Sequence, residues 1–125
     1  MTSEQRLPYL AIFPGRREGE RCVAHLPDFS SPRFWPRLRE VIEAVVGDSC
    51  EHVNVYWNFP GEEQYCYRDL FVNEMGHVRQ LQRNELATAI YRNNVLVHDP
   101  ARNPIPEALP WIAGPAVLFR ERVWH

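Results

Sequence analysis

The chain has 125 residues, 45% of them hydrophobic and 24% charged, with a formal net charge of -2. That size and balance fit one folded domain with its own core and argue against global disorder. A slightly acidic chain offers no electrostatic footprint for nucleic acid, which calls for a basic face, so nucleic acid is not an expected partner.

Residues 1–6 are polar and are expected to fray. Leu7 to Phe13 is a short apolar run closed by Pro14-Gly15, the pattern of a strand and a turn. Arg16 to Glu20 reads as an exposed hairpin connection, and Arg21 to Leu26 as a second strand ended by Pro27. A helix over 31–46 follows. Ser31 is its expected N-cap, and Pro32 takes the first helical position, where a missing N–H costs nothing. Its apolar stripe is Phe34, Trp35, Leu38, Val41, Ile42, Val45 and Val46, with Arg37, Arg39, Glu40 and Glu43 opposite and Gly47 as the stop. Trp35 and Trp57 are placed in the core.

His52 to Phe59 alternates strictly: Val53, Val55, Trp57 and Phe59 face one way, His52, Asn54, Tyr56 and Asn58 the other. This is the signature of a half-buried strand with one solvated face. Tyr65 to Asn73 is its antiparallel partner across a short loop. Glu74-Met75-Gly76 reads as a turn whose glycine takes positive φ, and His77 to Leu81 as a further short strand. Asn84 caps a second helix, to about Asn93, with Leu86, Ala89 and Ile90 inward. Val95 to Val97 is expected as a separate apolar piece. His98 to Pro110 holds four prolines and reads as an irregular surface excursion. Trp111 to Trp124 forms the last strand system, and Gly114-Pro115 inside it points to an edge strand or a bulge.

The expected fold is therefore α+β: a five- to six-stranded, mainly antiparallel sheet packed on the 31–46 helix, with the 84–93 helix flanking an edge. Residues 1–125 are read as one domain.

Several chemistries are excluded or disfavoured. All 14 basic residues are arginine, so a Schiff-base, P-loop or general-base lysine is excluded. Cys22, Cys50 and Cys66 form neither a disulfide framework nor a CxxC pair, which suits a reducing compartment. The five histidines show no metal-binding spacing, and Cys50-Glu51-His52 alone does not make a metal site. No Gly-x-Ser-x-Gly elbow or glycine-rich phosphate loop occurs. The N-terminus lacks a signal-peptide pattern, and no apolar run reaches the roughly 20 residues of a membrane span. The cytoplasm is the expected compartment, with no cofactor, no metal and no membrane partner.

Five motifs have a family flavour: Val46-Gly47, the strand His52 to Phe59, Val72-Asn73-Glu74-Met75-Gly76, Leu81-Gln82-Arg83-Asn84, and Ile112-Ala113-Gly114-Pro115-Ala116-Val117-Leu118. In this layout the chain resembles a domain-of-unknown-function family of small proteins carried on bacterial plasmids and phages. The resemblance covers about two-thirds of the chain and brings no catalytic residues with it. It implies an accessory gene of a mobile element, and with that a protein that binds or inhibits host machinery.

The expected function is accordingly that of a non-enzymatic binding protein acting on a host protein or a small ligand, with a homodimer as a further alternative. The candidate contact surface is Trp111, Arg122 and Trp124, since aromatics with arginine are favoured at interfaces. Asn54 and Tyr56, with Arg68 opposite, form a second candidate surface, and Asn73, Asn84 and Thr88 are further candidates. The rival reading is a small hydrolase-like enzyme acting on a nucleotide, using His52 or His77 with a carboxylate. The carboxylates Asp69, Glu62, Glu63 and Glu74 cluster on one hairpin, where acidic side chains ordinarily serve solubility.

Overall fold

A computed structural model describes residues 4–99 and 108–124. Residues 1–3 of the expected frayed start and 100–107 of the proline-rich excursion lie outside the described residues. Strands β1 (Glu4–Ile12) and β2 (Glu20–Pro27) form a hairpin, and helix α1 (Phe34–Val46) follows. Strands β3 (Cys50–Trp57) and β4 (Tyr67–Asn73) form a second hairpin. Helix α2 (Glu85–His98) precedes the last strand, β5 (Ala116–Phe119). The strands make one five-stranded antiparallel sheet in the order β2-β1-β5-β4-β3. The fold is α+β.

β5 corrects the sequence-based expectation of an edge strand. It lies at the centre of the sheet, pairing Leu118 with Leu10 on one side and Leu70 on the other. All four of its residues are buried, as a strand covered on both faces requires. Pro115 immediately precedes the strand, so its missing N–H falls outside the ladder.

The sheet carries a core on each face. On one, Phe34, Leu38, Ile42 and Val46 of α1 pack on Leu7, Ala24, Leu26, Phe71, Val117 and Phe119. On the other, Ala87 and Ile90 of α2 pack with Val55, Leu70, Val72, Leu118 and Ile12. Burying a side chain of this kind contributes roughly 1.5–3 kcal/mol.

Element boundaries differ from expectation where local contacts intervene. α1 begins at Phe34 rather than Ser31, and its N-cap Arg33 makes no side-chain cap bond. Ser31 instead closes a preceding turn, its Oγ accepting from the Arg33 N–H at 3.2 Å and its carbonyl from the Phe34 N–H at 3.0 Å. Gly47 does end α1, with φ 90°. α2 runs past Asn93 and takes in Val95 to Val97; the Asn93 Nδ2 donates to the Tyr56 carbonyl at 2.7 Å, tethering the middle of the helix to β3.

The strand expected at His77 to Leu81 is absent. The Arg79 N–H donates to the Met75 carbonyl and the Gln80 N–H to the His77 carbonyl, so the segment coils into turns, with Val78 73% exposed.

Gly76 is needed for space rather than for positive φ. A Cβ there would run into the Ala113 carbonyl oxygen, where the turn crosses the approach to β5. Gly76→Ala is expected to cost about 2–3 kcal/mol, because the clash is with backbone and cannot be relieved by a rotamer change. Urea denaturation measures this, and a loss below about 0.5 kcal/mol would show that the crossing yields freely.

Candidate functional site

The site grows from β3, β4 and the segment that follows β5. Residues 69, 71 and 73 of β4 face α1, and register places His52 beside Phe71 and Asn54 beside Asp69. Asp69 is 2% exposed. Its Oδ2 accepts the Val123 N–H at 2.6 Å and the Trp124 N–H at 3.0 Å, while its Oδ1 lies 2.8 Å from the His52 Nε2. With Oδ2 occupied by two amides, Oδ1 receives the imidazole N–H. One carboxylate thereby pins the C-terminal segment to the sheet and orients a histidine.

The face of β3 expected to be solvated is therefore covered at His52, whose side chain is 8% exposed. The Trp124 ring stacks on the imidazole at 4.7 Å with an interplanar angle of 10°, and Phe71 tilts against it at 5.2 Å. Trp124 also meets Trp35 of α1 edge-on at 5.1 Å, and Phe29 packs on Phe34 at 4.8 Å. Phe29, Phe34, Trp35, Val123 and Trp124 line a shallow apolar cavity of about 310 Å³. Three of those rings remain open to solvent: Phe29 at 41%, Trp35 at 39% and Trp124 at 42%.

The expected contact surface is divided. Trp111 lies on the α2 side, next to Ile112 of that core, with His77 at 4.2 Å and the Arg83 guanidinium over its ring at 5.6 Å. Trp124 follows Val123 of the α1-side core. Arg122 is exposed beside them. Among the described residues His77 meets no carboxylate; its Nε2 bonds the Trp111 carbonyl at 2.6 Å.

On the outer edge, Arg68 lies over the Tyr56 ring at 5.5 Å and donates to the Val55 carbonyl at 3.2 Å, so that pair does meet; Asn54 is exposed nearby on β3. Asn73, Asn84 and Thr88 are buried in the scaffold and hydrogen-bonded between its elements. The Asn73 Nδ2 donates to the Val46 carbonyl at 3.0 Å, closing the end of α1. Asn84 caps α2 and binds the Ile12 and Gly114 carbonyls. The Thr88 Oγ1 accepts the Ile112 N–H at 2.9 Å.

Sequence reasoning missed Phe29, Trp35 and the role of Asp69. A helical stripe that includes both Phe34 and Trp35 is about 100° wide at its start, so one of the two sits at its rim. That signal pointed to an exposed ring without saying which. Among the described residues no group of three or more His, Cys, Asp or Glu side chains could hold a metal ion, and no helix is long and apolar enough to cross a membrane.

No protein-family model matches the chain, and comparisons with curated proteins and with solved structures likewise find no match.

Proposed function

We propose that the chain is a non-enzymatic binding protein whose contact surface is the Phe29–Trp35–Trp124 patch. The observation that carries the reading is the side-by-side exposure of these three rings around one apolar cavity. Large aromatic side chains left partly in water recover that surface when a partner covers them, and Trp is among the residues most enriched at binding hot spots. Arg33 and Arg122 are exposed and close in sequence to the rings, which favours a partner that presents an apolar side chain flanked by carboxylates. The motif resemblance supports a host protein as that partner, met by an accessory protein of a mobile element.

The hydrogen-bonded His52–Asp69 pair favours a second reading, a hydrolase with His52 as an oriented base. Against it, the imidazole is sandwiched by Trp124 and Phe71, and the carboxylate is engaged by two main-chain amides. A substrate would reach the ring only after Trp124 swung away.

Affinity capture from host lysate tests the first reading. A partner held by the wild type should be lost with Trp35→Ala and retained with Trp111→Ala, which alters the opposite side of the sheet. Truncating a hot-spot tryptophan costs about 2 kcal/mol or more, roughly a thirtyfold loss of affinity. Capture that is indifferent to Trp35→Ala would sink this surface. Hydrolysis of nucleotides by the wild type that disappears in His52→Gln would favour the enzyme.

A further inference from the structure

The sheet face that carries α2 is only half covered. α2 packs chiefly over β3, and it meets the β1 side of that face through its first turn, where Leu86 and Ala87 share a core with Leu10 and Ile12. Register fixes what stands there. Leu10 belongs to the core on this face and lies opposite Arg21; Pro8 lies opposite Val23, and the Arg120 N–H donates to the Pro8 carbonyl at 3.2 Å. Arg21 and Arg120 therefore rise from either side of β1, roughly 10 Å apart across the sheet and one side-chain row, about 7 Å, out of step. Both line a cavity of about 210 Å³ with a floor of Pro8, Leu10 and Val23 and a wall of Tyr67 and Glu62.

The polar groups around this cavity are poorly matched to one another. The Arg120 guanidinium lies 3.3 Å from the Tyr65 ring centroid, and Arg120 has no carboxylate partner among the described residues. Arg21 reaches the Glu62 carboxylate only at 3.7 Å, with its side chain 82% exposed. Tyr67 is 4% exposed, and its hydroxyl donates to the Glu62 Oε1 at 3.5 Å, a long bond. Burial and the Glu62 carboxylate hold the Tyr67 phenol above its usual range, so it stays a donor. One guanidinium and one buried hydroxyl thus share a single, loosely held carboxylate, and a second guanidinium lines the same cavity.

We infer that this cavity is an oxyanion site for a phosphomonoester, with Arg21, Arg120 and Tyr67 as its donors and Glu62 as an internal stand-in that the ligand displaces. A phosphate dianion balances two guanidinium charges and offers each a pair of oxygens, which a carboxylate monoanion does not. The cavity is smaller than a drug-sized pocket, which suits a phosphate headgroup whose remainder lies in solvent. This site lies on the opposite sheet face from the aromatic patch and does not depend on it.

Isothermal titration calorimetry of the full chain with inorganic phosphate, glycerol phosphate and acetate tests the assignment. Phosphate and glycerol phosphate should bind saturably at millimolar concentration or below, and acetate about tenfold more weakly. Arg21→Gln and Arg120→Gln should each weaken phosphate by about tenfold or more, and Glu62→Gln should tighten it several-fold. The exposure of Arg21 makes its variant safe for folding, and thermal melts check the others. Absence of saturable phosphate binding, binding unchanged in Arg21→Gln, or weaker binding in Glu62→Gln would each overturn the proposal.

Discussion

Asp69→Ala is expected to destabilise the protein by about 3–5 kcal/mol, the range for removing one partner of a buried, hydrogen-bonded pair. Three donors lose their acceptor at once: the His52 Nε2 and the amides of Val123 and Trp124. The two amides can regain water only if the C-terminal segment peels off the sheet. That movement exposes Val123, which is 3% exposed in the fold, and breaks the Trp124–His52 stack. Asp69→Asn should cost less, about 1–2 kcal/mol, since its carbonyl oxygen can still receive the two amides while His52 changes tautomer. Urea denaturation gives both values, and tryptophan fluorescence should shift to the red in Asp69→Ala as Trp124 enters water. A loss below about 1 kcal/mol for Asp69→Ala would mean that the segment is held by packing alone. Because Trp124 forms one wall of the aromatic patch, the alanine variant should also lose any partner that Trp35→Ala loses.

Asn84→Ala is expected to cost about 3 kcal/mol. Asn84 is 0% exposed and uses both ends of its amide. The Oδ1 accepts the Ala87 N–H at 3.1 Å as the N-cap of α2, a contribution of about 1 kcal/mol. The Nδ2 donates to the Ile12 carbonyl at 2.9 Å and the Gly114 carbonyl at 3.0 Å, and depriving each of that donor costs at least about 1 kcal/mol. Asn84→Asp separates the two jobs. It keeps a capping acceptor, yet turns a carboxylate oxygen toward two carbonyls, so it should be no better than alanine despite being the smaller chemical change. Chemical denaturation of the pair decides; an aspartate variant as stable as the wild type would show that capping is the whole contribution.

Periodicity and punctuation made the elements legible. The run of four apolar residues at Ala116–Phe119, the alternation of Val53, Val55 and Trp57, and the glycine after Val46 each carry their own structural reason. The position of β5 was misread because Pro115 was credited to the strand instead of to the residue before it. The 77–81 segment was misread as a continuation of the hairpin, although its apolar residues Val78 and Leu81 stand three apart, a spacing that suits a coil of turns better than a strand. The site was harder to see. The bonds that define it join Asp69 to positions 17, 54 and 55 residues away, and nothing in the local composition distinguishes this aspartate from the exposed acids of the same hairpin. Trp35 was assigned inward because helical spacing gives a stripe but not its edges. Asn73, Asn84 and Thr88 were named as further contact candidates, and the fold buries all three within the scaffold.

The central place of β5 also sets an order of assembly. The β1–β2 and β3–β4 hairpins can each zip up from local turns, but neither pairs directly with the other. Their inner edges, β1 and β4, stay open until the last strand in chain order slots between them. Such a late, non-local closure is slow compared with hairpin formation and leaves two unpaired edges exposed in the meantime. A nascent chain that stalls before Ala116 would therefore present two sticky ribbons rather than one finished sheet, and that interval is where a chaperone would have its purchase.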